Sequence, residues 1–412
     1  MRIVVSGEGT RGDLYPLLAL GEALREAGHS VSACAPSNFE HEVTSRGFPF
    51  TSSGMDIREY VGRHARDLTR GGLGMARAQR VYLDTLLKQG FEALHAATEG
   101  TDLLVGGGVC LAGATIAAQR GIPYRYLAYC PPLLPSDEHT PVFLASRHRW
   151  PVWLNRLAWR WLIPLAFWPV VRAVNQRRRA AGIAPERDAF RLTLGSAPVL
   201  LATDPELAPP PRDCRLEVRS IGALQTDVEG PLPEKLERFL DAGPPPVYFG
   251  FGSMPDEDPE RTTRMLVAAS ERAGCRALIS AGWAGLGESA LPESVFALGP
   301  ASHARLFPRV AAVVHHGGAG TTTTAARAGV PQVVVPHLLD QHYWAERVLQ
   351  LGVAPPPLQR RRLGAIRLGD ALRAVLDNEW IQRRAAELGE RLRRADPLSP
   401  EQRATLVERV LA

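Results

Sequence analysis

The chain has 412 residues, of which 45% are hydrophobic and 22% are charged, and this composition excludes an intrinsically disordered protein. A chain of this length fits two or three domains of about 150 residues, and it can bury its cores without disulfides or metals. The formal net charge of +5 is too small to indicate a nucleic-acid partner, and we expect none.

Neither the cysteines nor the hydropathy pattern indicates export or a membrane anchor. The five cysteines are odd in number and include no C-x-x-C pair, which is typical of free thiols in a reducing compartment. The N-terminal MRIVVSG runs straight into a predicted strand, and no run reaches the roughly 18 apolar residues of a membrane span. We therefore expect a soluble cytoplasmic protein.

Short apolar runs alternate with helical patterns in the first third of the chain. This alternation predicts strands at 2–6, 30–35, 103–105 and 124–129 and a helix at 17–27. Strands separated by helices indicate parallel βαβ units in a doubly wound sheet.

The alternation stops in a Pro-rich stretch and then starts again. It predicts strands at 247–251, 277–280, 311–315 and 332–336 and helices at 260–273, 322–328 and 341–351. We therefore predict an α/β protein with two Rossmann-like, doubly wound parallel-sheet domains that face each other across a cleft. The predicted boundaries are 1–205 for the first domain, 206–232 for the linker, 233–385 for the second domain and 386–412 for helices that pack back across the junction.

The first glycine-rich turn, GEGTRG at 7–12, has the G-x-G-x-x-G spacing of a dinucleotide-binding fingerprint. That fingerprint needs an acidic residue at the end of the second strand to hold the ribose, and residues 33–38 contain none. An NAD-type Rossmann oxidoreductase is therefore kept only as an alternative. Asp13 follows this turn and has two interpretations, a base that takes a proton from a bound hydroxyl or a helix N-cap.

The second glycine-rich turn, HHGGAG at 315–320, follows a predicted buried strand and precedes four threonines at the start of a helix. Small residues and the N–H groups of a helix N-terminus are suited to binding phosphate. Adjacent strand residues face opposite ways, so only one of His315 and His316 can face the ligand.

Further polar and aromatic residues follow other predicted strands of this half. Asp340 and Gln341 are suited to binding sugar hydroxyls, although Asp340 fits a helix N-cap equally well. Ser253 lies in a close-approach turn, and Trp283 could stack on a nucleobase.

With these residues in place, the chain resembles the inverting nucleotide-sugar glycosyltransferases of the GT-B fold. The branch it resembles contains the bacterial natural-product glycosyltransferases and the sterol glucosyltransferases. The motifs that carry the resemblance are GTRGDLYPLLALGEALREAGH at 9–29, PYRYLAYCPPLLPS at 123–136, PPVYFGFGSM at 245–254, SAGW at 280–283 and HHGGAGTTTTAARAGVPQVVVPHLLDQHYWAERV at 315–348.

The resemblance implies a role for each matched residue. Asp13 matches the general base, and His316 matches the histidine that contacts the donor pyrophosphate. The phosphate-binding loop and helix start are matched by Gly318, Ala319, Gly320 and Thr321, and the sugar contacts are matched by Asp340 and Gln341. Positions near the diphosphate and the base are matched by Ser253 and Trp283, respectively. The N-terminal loop that faces the donor is matched by Thr10, Arg11 and Gly12. Thr324 departs from the pattern, because the plant branch has a ribose-binding glutamate there.

The implied reaction moves a hexose or deoxyhexose from a dTDP- or UDP-sugar to an acceptor hydroxyl, with inversion and without a metal ion or other cofactor. The first domain would bind the acceptor and the second the nucleotide sugar. An inactive sugar-nucleotide binding module is a further alternative, against which the presence of Asp13 counts.

Five tryptophans at 150, 153, 159, 161 and 168 are interleaved with arginines. They fit three interpretations: helices packed on the sheet, an apolar acceptor cleft that includes Trp150 and Trp153, or contact with a membrane surface. We expect a hydrophobic polycyclic or macrocyclic acceptor. The sequence does not indicate an oligomeric state.

Overall fold

The computed structural model describes residues 1–70, 72–144, 150–226, 230–288 and 290–412. These residues form two compact units, which are described one at a time. The first unit comprises the described residues of Met1–Val142, His148–Thr226 and Asp396–Ala412, and the second comprises those of Phe143–Arg147 and Asp227–Ala395.

The described part of the first unit contains a parallel sheet of seven strands in the order β3-β2-β1-β4-β5-β6-β7. The strands are β1 (Arg2–Glu8), β2 (Ser30–Ala35), β3 (Phe50–Ser52), β4 (Leu103–Gly108), β5 (Tyr124–Ala128), β6 (Val199–Leu201) and β7 (Val218–Ser220). The helices are α1 (Arg11–Glu26), α2 (Glu40–Thr44), α3 (Ile57–Arg63), α4 (Ala65–Arg70), α5 (Gly72–Thr85), α6 (Phe91–Ala97), α7 (Gly113–Arg120), α8 (Val152–Leu157), α9 (Ile163–Ala180) and α10 (Ala189–Leu194). A π-helical turn, Ala158–Leu162, joins α8 to α9 without a break.

The described part of the second unit contains a parallel sheet of five strands in the order β10-β9-β8-β11-β12. The strands are β8 (Val247–Gly250), β9 (Ala277–Ser280), β10 (Val295–Leu298), β11 (Ala312–His315) and β12 (Gln332–Val334). The helices are α11 (Glu234–Asp241), α12 (Pro259–Ala273), α13 (His303–Leu306), α14 (Ala319–Ala328), α15 (Gln341–Gln350), α16 (Ala365–Leu376) and α17 (Glu379–Arg394). The final helix, α18 (Pro400–Leu411), belongs to the first unit and contacts α1.

Apolar runs in the sequence form the central strands because both faces of each sheet are covered by helices. Val4 and Val5 of β1 are buried, as are Val313 and Val314 of β11. Strands buried on both faces are near-continuous in apolar residues rather than alternating, and this is what the sequence shows. The predicted fold class, two doubly wound parallel α/β domains, is confirmed.

Three local features differ from the sequence analysis. The first helix begins at Arg11 rather than at 17, because Thr10 and Asp13 cap it and Pro16 is accommodated inside the helix. Strand β7 lies within the stretch 206–232 that we assigned to a linker, where it pairs with β6. Helix α17 belongs entirely to the second unit, so the chain returns to the first unit at Asp396.

Candidate functional site

Each unit has a glycine-rich turn near the point in its sheet where the strand order reverses. In the first sheet β1 lies between β2 and β4, and in the second sheet β8 lies between β9 and β11. Chain connections leave such central strands in opposite directions, which opens a crevice at the carboxyl ends of the strands where α/β proteins bind ligands. Each unit therefore has its own candidate site.

Asp13 lies at this point in the first unit, at the third position of α1. Its Oδ2 accepts a hydrogen bond of 2.8 Å from the backbone N–H of Thr10, which is the N-cap residue. The half-buried carboxylate fills space left by two glycines, since a Cβ at Gly9 would lie 2.1 Å from Oδ2 and one at Gly108 would lie 3.1 Å from Oδ1. Asp13 therefore caps the helix, although from the third position and not as the N-cap.

Two tyrosines that the sequence analysis did not single out hold the backbone around Asp13. The hydroxyl of Tyr129 donates to the carbonyl of Asp13 at 2.5 Å, and that of Tyr126 donates to the carbonyl of Gly108 at 2.6 Å. Burial raises the pKa of both phenols, so they remain protonated donors at neutral pH. These bonds restrict the backbone that positions the Asp13 carboxylate.

Glu8, the last residue of β1, is a buried acid next to this site. Burial raises its pKa to about 7, and the charge of Asp13 adds to the rise, while the Ser53 hydroxyl opposes it. Its Oε2 has no hydrogen-bond partner among the described residues. A glutamate at the carboxyl end of a strand whose preceding residues include the apolar run Ile3, Val4 and Val5 is the sequence signal that could have identified it.

The remaining predicted residues of the first turn lie at its surface. Arg11 is exposed, its guanidinium lies 3.2 Å from the Glu42 carboxylate, and Gly12 is exposed beside it. Thr10, Arg11 and Gly12 are thus brought together at the start of α1, and their contact with a donor remains a prediction.

In the second unit, His315 and His316 at the end of β11 have different surroundings. His315 is fully buried, with its Nε2 2.9 Å from Oε1 of Gln332, while its Nδ1 accepts a bond of 3.0 Å from the N–H of Gly317. Burial lowers the pKa of His315 to about 3, so the ring is neutral and its Nε2 donates. His315 therefore has a structural role, and His316 is the half-buried member of the pair.

The ring of His316 lies between two glycines from different strand ends. A Cβ at Gly252, after β8, would lie 2.9 Å from its Cε1, and one at Gly318 would lie 2.5 Å from its Nε2. Its Nδ1 has no hydrogen-bond partner in the described part of the chain. Burial lowers the pKa of His316 to about 4, although contact with the Gly250 backbone partly opposes this. The ring is therefore neutral at pH 7, with its Nε2 on the side of Gly318.

Helix α14 begins immediately after this histidine, with Gly318 as its N-cap. The hydroxyls of Thr322 and Thr324 donate to the carbonyls of Gly318 and Gly320, at 2.9 and 2.8 Å. These two threonines therefore bind the helix itself rather than cap it. Ala319 and Thr321 are half-buried and Gly320 is exposed, so the first turn reaches the surface, where the helix dipole favours an anion.

The turns after β8 and β9 are held against each other. The N–H of Trp283 donates to the carbonyl of Gly252 at 3.0 Å. Gly282 has a φ of +55°, and a Cβ there would lie 2.5 Å from the same carbonyl oxygen. This contact brings half-buried Trp283 and half-buried Ser253 to the strand ends that also hold His316.

Asp340 and Gln341 follow β12 at the start of α15 and bind residues of that helix and of the loop before it. Oδ2 of Asp340 accepts a bond of 3.0 Å from the indole of Trp344, and burial raises its pKa to about 6. Oε1 of buried Gln341 accepts from the N–H groups of His337 and Leu338, at 2.8 and 3.1 Å. Both side chains thus stabilise the loop, and their predicted contacts with a sugar remain untested.

The predicted acceptor residues lie at the start of the helix Val152–Ala180. Trp150 is half-buried just before the helix, and Trp153 is 66% exposed on its outer face. Trp159 packs inward, with its ring centroid 5.3 Å from that of Phe190. By length and composition alone, this helix could cross a membrane.

Both halves of the chain are similar to known proteins. Residues 3–125 match the glycosyltransferase family 28 N-terminal domain, and residues 280–408 match the C-terminal domain of erythromycin biosynthesis protein CIII-like proteins. The vancomycin aglycone glucosyltransferase of Amycolatopsis orientalis is 37% identical over 360 residues, which are 86% of this chain and 85% of that protein. A sterol 3-beta-glucosyltransferase of Arabidopsis thaliana is 29% identical over 413 residues, which are 96% of this chain and 66% of that protein.

Solved structures show the same fold. The glycosyltransferase VinC, whose crystal structure is a complex with dTDP, superposes with a TM-score of 0.65 over 99% of this chain and 100% of its own, at 21% identity. The two parallel α/β units and the matches to both halves define a glycosyltransferase. The chain belongs to the GT-B glycosyltransferase family that includes the bacterial natural-product and the sterol glucosyltransferases. This confirms the predicted family and removes the support for an NAD-type oxidoreductase.

Proposed function

We propose that the protein transfers a hexose or deoxyhexose from a dTDP- or UDP-sugar to a hydroxyl of a hydrophobic natural-product or sterol-like acceptor. The vancomycin aglycone and sterol glucosyltransferases support this class of acceptor, and the dTDP complex of VinC supports this class of donor. The observation that carries the proposal is the His316 ring, held between Gly252 and Gly318 at the start of α14 with its Nε2 on the side of Gly318.

His316 and α14 would bind the donor diphosphate. The neutral imidazole donates one hydrogen bond to a diphosphate oxygen, and the N–H groups of the first helical turn supply further donors. A bound diphosphate raises the pKa of His316, because a nearby negative charge favours the imidazolium ion. Stabilisation of the leaving group therefore increases as negative charge develops on it during transfer, and the proposed mechanism does not use a metal ion.

Asp13 would act as the general base. The carboxylate uses Oδ2 to cap α1 and has a second oxygen, Oδ1, on the side of Gly108. It removes the proton as the acceptor hydroxyl attacks the anomeric carbon from the face opposite the diphosphate, which inverts the configuration. A positioned base of this kind contributes about 10²- to 10⁴-fold to the rate.

The positions of the other predicted donor residues support the contacts that we propose for them. Trp283 would lie near the nucleobase and Ser253 near the diphosphate, because both turns adjoin Gly252. Asp340 would bind the sugar through its carboxylate, and Gln341 through its amide NH₂ group, which in the structure donates a bond of 3.4 Å to the sulfur of Met254. The hydroxyl of Thr324 already binds the carbonyl of Gly320, so ribose binding would rely on other groups.

A thermal-shift panel with dTDP, UDP, GDP and NAD tests the proposed donor class. At about a hundred times the dissociation constant, a true ligand stabilises the folded protein by roughly 2.7 kcal/mol. We expect dTDP or UDP to raise the melting temperature and NAD to leave it unchanged. A shift with NAD alone, or with none of the four, would contradict the proposal.

A further inference from the structure

The helix Val152–Ala180 presents a stripe of large apolar side chains on its outer face. Trp161 is 61% exposed, Leu165 is 74% exposed and Trp168 is 56% exposed, and Leu157 extends the stripe toward exposed Trp153. Successive members are four, four, four and three residues apart. A spacing of four residues is slightly longer than one α-helical turn, and the π-helical turn Ala158–Leu162 and the final spacing of three offset this, so the five side chains lie along one side of the helix.

The opposite face of this helix is fixed to the first unit. The buried amide of Asn155 donates to the carbonyl of Asp137 at 3.1 Å, and that of Asn175 donates to the carbonyl of Glu186 at 2.7 Å. Trp159 and Ile163, which lie between Asn155 and Asn175 along the helix, are buried. A helix that uses polar side chains to bind its own domain lies on that domain, which excludes a membrane-spanning role for it.

The charge of the helix has one sign. Residues 152–180 contain no Asp or Glu and six arginines, at 156, 160, 172, 177, 178 and 179. The guanidinium carbons of Arg160 and Arg172 lie 5.7 Å from the ring centroids of Trp161 and Trp168, respectively. Amphipathic aromatic rings next to arginines are typical of the boundary between lipid headgroups and acyl chains.

We propose that the outer face of this helix, from Trp153 to Arg172, docks on an anionic lipid bilayer surface. The apolar stripe would enter the headgroup boundary while Arg160 and Arg172 bind lipid phosphates. A second copy of the chain fits less well, because a twofold contact through this stripe would bring like arginines together without an acid on the stripe. A small acceptor fits less well too, because ligand sites are concave and this is the convex face of a helix.

Cosedimentation with vesicles tests this proposal independently of sugar transfer. Wild type is mixed with phosphatidylglycerol or phosphatidylcholine vesicles, beside Trp161→Ser/Leu165→Ser/Trp168→Ser and Arg160→Gln/Arg172→Gln variants. The control variant, Ile366→Ser/Trp380→Ser, removes apolar side chains that are 64% and 56% exposed elsewhere. Circular dichroism and the melting temperature establish that each variant folds.

We expect wild type and the control to sediment with phosphatidylglycerol vesicles and to bind phosphatidylcholine more weakly. The triple variant should lose at least tenfold of the partition coefficient, and the arginine variant about fivefold per charge. Wild type that stays in the supernatant, or a folded triple variant that sediments like wild type, would overturn the proposal. So would a control variant that loses as much as the triple variant. A dimer in light scattering that the triple variant abolishes, without vesicle binding, would assign the face to a second copy instead.

Discussion

At the scale of single residues, the two neighbouring histidines of the second turn have different roles: His315 stabilises the fold, and His316 is the one for which we propose a contact with the donor. His315 has both ring nitrogens occupied inside the core, whereas the half-buried His316 has its Nε2 beside Gly318, the N-cap of α14. The alternation of strand residues predicts that the two side chains face opposite ways and have different surroundings, and they do. The sequence could not say which of the two is fully buried, because the choice depends on Gln332, a residue of the next strand.

Replacing each histidine should therefore have a different effect. His315→Ala removes two buried hydrogen bonds and leaves a cavity, so we expect the free energy of unfolding to fall by about 2–4 kcal/mol. His316→Ala should leave stability nearly unchanged and weaken dTDP binding about 10- to 100-fold, the loss of one hydrogen bond to a charged group. Calorimetric titration and denaturant unfolding measure the two effects. If His315→Ala lost the dTDP affinity while keeping its stability, the assignment would be reversed.

Glu8 gives a prediction about pH. Its pKa is about 7 in the folded protein and 4.5 ordinarily, so the folded state binds this proton more tightly than the unfolded state does. The binding of the proton stabilises the folded state at low pH, and this stabilisation is lost as the pH rises through 7. Glu8→Gln removes the ionisation. We expect the stability advantage of the variant over wild type to increase by about 2–3 kcal/mol between pH 5 and pH 8.5.

Denaturant unfolding of both proteins at the two pH values measures this increase, followed through the transition of the first unit because two domains need not unfold together. A difference between variant and wild type that does not change with pH would show that Glu8 is already ionised at low cost in the fold.

At the scale of secondary-structure elements, the sequence predicts the central strands well and their surroundings less well. Runs such as Val313 and Val314 depend only on burial between two layers of helices, which periodicity reports. Strand β7 was missed because it lies in a Pro-rich stretch and exists through its pairing with β6. The start of α1 was missed because the Thr10–Asp13 cap outweighs the presence of Pro16.

The two glycines that contact the His316 ring follow two different strands, so the position of the ring depends on how these strands are paired. Gly318 has a φ of −66°, which alanine tolerates, so the cost of Gly318→Ala is the contact of its Cβ with the His316 ring. We expect the ring to be displaced and dTDP affinity to fall about tenfold or more, with little change in melting temperature. The matched control is Gly299→Ala, where a Cβ would meet nothing within 4 Å. Equal dTDP affinity in the two variants would argue against His316 as a diphosphate ligand.

At the scale of the whole molecule, the sites of the two units have complementary chemistry. The first unit offers a carboxylate held by Thr10, and the second offers the N-terminus of α14, where we propose that the donor diphosphate binds. The sequence could indicate which residues come together at each of these places, because the motifs are local in the chain; their functional roles stay predictions. It could not predict the internal contacts of Asp340 and Gln341, since these depend on how the loop after β12 folds back on itself.

The most direct test of this account measures turnover and dTDP binding in the same Asp13→Asn protein. The asparagine carbonyl can still accept the hydrogen bond from Thr10, so α1 should keep its cap, whereas Asp13→Ala would lose the cap and the base together. We expect kcat to fall by about 10²- to 10⁴-fold while the Kd for dTDP stays within about twofold of wild type. Unchanged turnover would remove Asp13 as the base, and a loss of dTDP binding equal to the loss of turnover would contradict the division of the reaction between the two units.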